Sequence, residues 1–157
     1  MAERTPARSY PDLHDHLKAL DDAGLLVTVD REINKDTEMH PLVRWQFRGG
    51  IEENDRKAFL FTNVVDSKGN KFDMPVAVGV LAANREIYAM GMGCPVEEVQ
   101  DRWAQAIANP IPPKEISSDE APCHEFIIEG DDLDRPGNAL DSIPVPISTP
   151  GWDVGPV

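Results

Sequence analysis

The side chains able to do chemistry fall into a few short stretches, and their spacing decides what each can do. His14 and His16, in DLHDHL, offer two imidazoles of the kind that bind metals. On a helix, positions two apart point about 200° away from each other, so the pair cannot share one ion, and both are expected on a solvated helix face. Asp131, Asp132 and Asp134, in EGDDLDR, gather carboxylates as a calcium loop does. The glycine and terminal glutamate of such a loop are missing, which leaves a solvated acidic turn. Gly91 and Gly93, in GMGCPVEEV, precede a helix start, where free amides can hold an anion. Without a P-loop lysine or a complete GxGxxG, a turn between helices is the simpler reading.

The two cysteines are no better placed. Cys94 stands at a helix start with no histidine beside it in sequence, and reads as a small buried apolar group. Cys123 and His124 are neighbours at the start of a predicted strand, where adjacent side chains point to opposite faces, so a nucleophile–base pair does not form there. The cysteines lie 29 residues apart with no CxxC, which suits reduced structural thiols and indicates neither zinc nor redox chemistry. Trp45 and Trp103 sit on helical faces as core or interface anchors, and Trp152 lies in an apolar carboxyl-terminal stretch, IPVPISTPGWDVGPV. No catalytic, cofactor-binding or metal-binding residue is assigned within the chain.

The elements that would position these residues are legible in part. Leu13, Leu17 and Leu20 recur at helical spacing between the candidate caps Ser9 and Asp12 and the stop Gly24. Leu25, Val27 and Val29 then alternate as in a half-buried strand. Asp36 is the expected cap of a second helix that turns Met39, Leu42, Val43 and Phe47 inward and stops at Gly49-Gly50. Ala58 to Val65 and Met74 to Leu81 read as two strands paired across the turn Asp66 to Asn70. A short helix follows over Asn84 to Met90. Pro95 opens another, with Val96, Val99, Trp103 and Ile107 on one face, that ends near Asn109-Pro110.

Past that point nine of the fourteen prolines occur, and the one predicted strand is His124 to Glu129, so the last third reads as extended connection. The fold class expected is α+β: a small mixed sheet, flanking helices and an extended Pro-rich carboxyl-terminal segment. Two regions are expected, an α+β unit over residues 1–109 and a linker over 110–157. The chain has 157 residues, 41% of them hydrophobic, enough for one compact core. A net charge of −13 repels phosphate backbones and anionic lipid, which argues against nucleic acid as a partner. With no signal-like start and no apolar run near 20 residues, a cytoplasmic protein is expected.

Taken in order, several stretches resemble the amino-terminal region of the UbiD-like decarboxylases. DLHDHLKALDDAGLLVTVDREI is similar to that family's opening helix and strand, AFLFTNV to its allFenv strand, and MPVAVGVLAANREIYAMGMG to its pv-gnlfg-rer-a-alG segment. NPIPP, APCHEF and EGDDLD resemble its P-I-P-P linker, its A-P-C-[QH]-E strand and its G-D-D turn. The closing stretch resembles L-P-[IV]-P-x-x-x-P-x-D-x-G-P-[YF]. Three departures stand out: VLA at Val80 to Ala82 for the usual lfg, Val157 for the usual aromatic, and Arg135 to Asn138 lengthening the turn before IPVP.

The resemblance implies a reversible carboxy-lyase acting on an aromatic or α,β-unsaturated acid with prenylated FMN, Mn2+ and K+. Such an electron sink is chemistry that side chains alone do not supply. It also implies that the catalytic Glu-Arg-Glu set and the metal ligands lie beyond Val157, so this segment alone is expected to be inactive. Its partners would be the cofactor-binding and oligomerisation domains, in the same chain or a separate subunit, with truncation favoured by the apolar end, and the complete enzyme is expected to be a homo-oligomer. Two rivals are a stand-alone acidic module docking a partner through Ile143 to Val157, and a small enzyme using Cys94 or Cys123 as nucleophile.

Overall fold

The computed structural model describes residues 12–149 and 152–153. Helix α1, Leu13–Asp22, is capped by Asp12, whose carboxylate accepts the Asp15 N–H at 3.0 Å. Gly24, at φ +67°, turns the chain into strand β1, Leu26–Val29. Ser9, the other candidate cap, lies outside the described residues. After β1 come β2, Ile33–Asn34, and helix α2, Met39–Arg48. Strands β3, Ala58–Phe61, and β4, Val64–Val65, follow, then β5, Lys71–Phe72, and β6, Val76–Val78. Helices α3, Arg85–Met92, and α4, Val99–Ala108, complete the regular structure.

The strands form two three-stranded mixed sheets, ordered β1-β3-β6 and β2-β4-β5. In each, the middle strand runs parallel to one neighbour and antiparallel to the other: Leu26 faces Ala58, Phe59 faces Val78, Ile33 faces Val64, and Val64 faces Phe72. The parallel pairs require a crossover, and α2 supplies it. The expected pairing is present in part: β3 pairs with β6, but the predicted strand Ala58 to Val65 is split, its end β4 belonging to the second sheet and pairing with β5 across the turn Asp66 to Asn70. The α+β class stands.

Two apolar clusters hold this unit. Ala58 and Phe61, three apart on β3, point to opposite faces of the sheet. Ala58 packs with Leu20, Leu25, Val80, Ala83 and Ile87 from the α1 and α3 side. Phe61 packs with Ile33, Met39, Val43 and Val64 on the α2 side. Gly79 sits where the chain leaves β6 at φ +76°, and a Cβ there would lie 3.2 Å from Ala83 Cβ. Gly79→Ala is therefore expected to destabilise the domain by about 1–3 kcal/mol, from left-handed backbone and a crowded core together. A urea melt of the full chain measures this.

Several expectations are corrected. Asp36 does not cap α2; Glu38 occupies the N-cap position without a side-chain cap bond, its carboxylate instead accepting the Asn34 N–H at 2.8 Å. Leu42 and Phe47 are not core residues, at 36% and 42% exposure. Gln46 takes the inward place, because its amide accepts from the Lys57 N–H and donates to the Lys57 carbonyl, both at 2.9 Å, pairing the backbone just before β3. The strand predicted over His124 to Glu129 is absent. Pro122–His124 is one 3₁₀ turn, and Phe126 and Ile127 stand 82% and 68% exposed, since no described strand offers the ladder partner a strand needs.

Candidate functional site

The sequence candidates are dispersed by the fold. His14 is exposed as expected, whereas His16 is buried: its Nε2 lies 2.7 Å from the Val80 carbonyl, tying α1 to the end of the β6 segment. The exposed-helix expectation fails for His16 because this face of α1 is the one that packs on α3, where Leu20 and Ile87 share a core cluster. Gly91 is inside α3, and Gly93 is its left-handed C-cap at φ +63°, a helix terminus rather than an amide cradle. Cys94 is half-buried and Cys123 exposed. His124 Nδ1 is 2.9 Å from Ser118 Oγ, a local turn contact. Asp131, Asp132 and Asp134 lie on an exposed 3₁₀ turn, with Asp132 paired to Arg135 at 2.8 Å.

Among the described residues, no three His, Cys, Asp or Glu side chains converge to hold a metal ion. The metals implied by the resemblance find no ligand set among those residues. No helix is long and apolar enough to cross a membrane among those residues.

What the fold does build is an anchor for the carboxyl-terminal segment. Lys35 follows β2 and keeps its inward phase with Ile33, so its side chain is only 5% exposed. Its ammonium lies 2.5 Å from Asp36 Oδ1 and 5.8 Å from the centre of the Phe72 ring. Asp36 Oδ2 also accepts the Ser67 N–H at 2.9 Å. Burial pushes the Asp36 carboxyl up, but the Lys35 and Ser67 hydrogen bonds and the ammonium charge outweigh it and hold it below the ordinary carboxylate value. The Lys35 carbonyl accepts the Ile147 N–H at 3.3 Å, and Pro144 is buried. A cleft of about 700 Å³ lies here between the β4–β5 turn and residues Pro136 to Ile147.

Beyond that anchor the segment is held mostly to itself. Asp153 accepts from Ser148 Oγ at 2.6 Å and from the Thr149 N–H at 2.7 Å, and these bonds draw its carboxyl below the usual value. Trp152 beside it is 86% exposed. Ile111, Phe126, Ile127 and Leu140 are all more than half exposed, as is Trp45 on α2 and Ile107 on α4, with Trp103 nearly half. Core packing, one of the roles expected for Trp45 and Trp103, is excluded by this exposure. The inward phase of Lys35 could have been read from Ile33 two residues earlier; Gln46 carried no such signal, because its place follows from where α2 meets β3.

Comparison with solved structures places this geometry in context. The chain is similar to the UbiD-class enzyme HmfF from Pelotomaculum thermopropionicum in complex with FMN, at 29% identity and a TM-score of 0.59, over 85% of this chain and 26% of that one. An evolved dimeric form of the same enzyme, in complex with prFMN, matches at 30% identity and a TM-score of 0.60, over 85% of this chain and 27% of that one. The chain thus spans about a quarter of the length of these relatives. Residues 17–107 match the model of the 3-octaprenyl-4-hydroxybenzoate carboxy-lyase N-terminal domain, a stretch running from α1 to the last turn of α4 and taking in both sheets. On that match, which covers more than half of its residues, this chain belongs to the carboxy-lyase N-terminal domain family.

Proposed function

We propose that this chain is the amino-terminal part of a reversible, non-oxidative carboxy-lyase that acts on an aromatic or α,β-unsaturated carboxylic acid with prenylated FMN, together with Mn2+ and K+. The observation that carries the reading is the family match over both sheets, joined to relatives of the UbiD class that are roughly three times as long. When bound, the prenylated flavin supplies the electron sink for loss of carbon dioxide. The chain's own contribution is structural. The α+β unit of residues 1–109 forms a cover, and residues 110–157 lead from it to the cofactor domain.

The exposed apolar residues of the last third support this division of labour. Phe126, Ile127 and Ile128 have no described strand beside them, and a strand-forming sequence left unpaired suits a ladder completed by another domain. The anchor at Lys35, Asp36 and Ile147 then fixes where the connecting segment leaves the cover, and flexing beyond it would let the cover act as a lid. The segment alone is expected to be inactive, because no acid–base constellation is assembled among its described side chains.

The test is intact mass, gel filtration and an ultraviolet-visible scan on the species that carries this sequence in its native source. A flavin-coloured species containing this sequence in a longer chain, or beside a second one, is expected. A colourless species of 17.4 kDa with no partner overturns the carboxy-lyase reading and favours a stand-alone module that docks through Ile143 to Val157.

A further inference from the structure

A second cleft, of about 450 Å³, lies where the end of α2, the turn before β3, the start of α3 and the start of α4 meet. Its size is in the range of small-molecule sites. Phe47, Ala83, Val96 and Val99 give it an apolar wall. Four charged side chains line it: Glu53, Arg56, Arg85 and Glu97. Glu53 is engaged, since its Oε1 lies 3.4 Å from Arg85 Nε and accepts the Arg85 N–H at 3.2 Å. Glu97 is exposed to solvent. Arg56 is different: its guanidinium lies 5.2 Å from the centre of the Phe47 ring, its Nε is buried without a hydrogen-bond partner, and it makes no ion pair among the described residues.

Arg56 is half-buried, and a buried guanidinium N–H left without an acceptor costs more than one supplied with it. Its backbone is held in place, the Arg56 carbonyl accepting from Nδ2 of Asn84, the cap residue of α3, at 2.8 Å. The start of α3 adds positive potential on the same side. Tyr88 offers a polar group in the same cleft, its hydroxyl accepting from Trp103 Nε1 and so retaining its own proton for donation.

We propose that this cleft binds a small monocarboxylate with a compact apolar body, the carboxylate meeting Arg56 and the body lying against Phe47, Val96 and Val99. A single negative charge matches the one uncompensated cation, whereas a phosphate dianion would also face Glu97 on the rim and would leave the apolar wall unfilled. The inference is independent of the carboxy-lyase reading, because none of these residues is given a part in decarboxylation; either can fail while the other stands.

The test titrates the full chain with cyclohexanecarboxylate and follows backbone amide resonances. Saturable shifts in residues 84–88 and 96–100 are expected, with a dissociation constant of about 1 mM or below. Acetate, cyclohexanecarboxamide and inorganic phosphate should each bind about 10-fold more weakly, and equal binding by any of them overturns the stated ligand class. Arg56→Gln should weaken binding by about 10-fold or more, the loss of a charged hydrogen bond. If that variant does not fold, Val96→Glu places a like charge on the 38% exposed wall and should weaken binding similarly; unchanged binding in whichever variant folds, or no saturable shift in the original chain, overturns the site.

Discussion

Asp36→Ala should be among the most damaging single substitutions in this domain, lowering its stability by about 3 kcal/mol. The Lys35 side chain is 5% exposed, and its ammonium lies 2.5 Å from the carboxylate of Asp36, whose side chain is 14% exposed. Removing one partner of a buried pair leaves the other charge in a poorly solvated place, at a cost of about 3–5 kcal/mol, and the lower end applies because Asp36 still touches solvent. The Ser67 N–H loses its acceptor in the same step. Asp36→Asn keeps an acceptor for Ser67 and should cost less, about 1.5–3 kcal/mol, so the difference between the two variants isolates the stranded amide. Replacing Lys35 and Asp36 together by Met and Leu should recover most of the loss.

The same pair makes a pH prediction. The folded Asp36 carboxyl titrates below its unfolded value of 3.8. Its contribution is therefore fully present above that value and is lost as pH falls through the lower native one. Asp66 shifts in the same direction: burial opposes it, but bonds from the Asn70 amide and backbone and from the Lys68 N–H prevail. Acid melts of the original chain and of Asp36→Asn should separate above the ordinary value of 3.8 and converge as pH falls below it through the lower native one. Curves that stay parallel throughout would remove Asp36 from the acid response.

Replacing Phe126, Ile127 and Ile128 together by Ser is expected to have opposite results in two settings. In the isolated chain these side chains are 82%, 68% and 44% exposed, so little apolar area is given back to water and the melting temperature should hardly change. In the complete enzyme, the proposal has them covered by the neighbouring domain. Burying each such side chain is worth about 1.5–3 kcal/mol, so the triple substitution should weaken the junction by several kcal/mol and release the cover to proteolysis or dissociation. Analytical ultracentrifugation and limited proteolysis of both forms read this out. Loss of stability in the isolated chain, or none in the complete enzyme, would each count against the junction.

The contrast between those settings shows how differently the parts of this chain are encoded. The leucines of α1, the alternation in β1 and the aliphatic runs around β3 and β6 are local patterns, and the elements appear where those patterns lie, because a buried face needs a period of 3.6 or 2 residues. The acidic turn at Asp131 to Asp134 and the helix terminus at Gly93 were equally readable from short-range chemistry. The order of motifs carried the family, since their succession survives even where single motifs are weak.

Other features depended on which surfaces meet. His16, three residues after Leu13 and four before Leu20, falls on the leucine stripe of α1 while His14 does not; it is buried because that side packs on α3, next to the carbonyl of Val80. Gln46 outranks Phe47 as an inward residue because the backbone at Lys57 arrives there needing both a donor and an acceptor. The strand pattern of His124 to Ile128 is the reverse case: a β-strand is completed by hydrogen bonds to a neighbour, and no amount of local propensity supplies that neighbour. The sequence by itself determined the helices, the strands of the core and the family; only the tertiary structure decided the buried Lys35–Asp36 anchor, the unpaired Arg56 and the apolar surface left uncovered, because each is a relation between segments far apart in the chain.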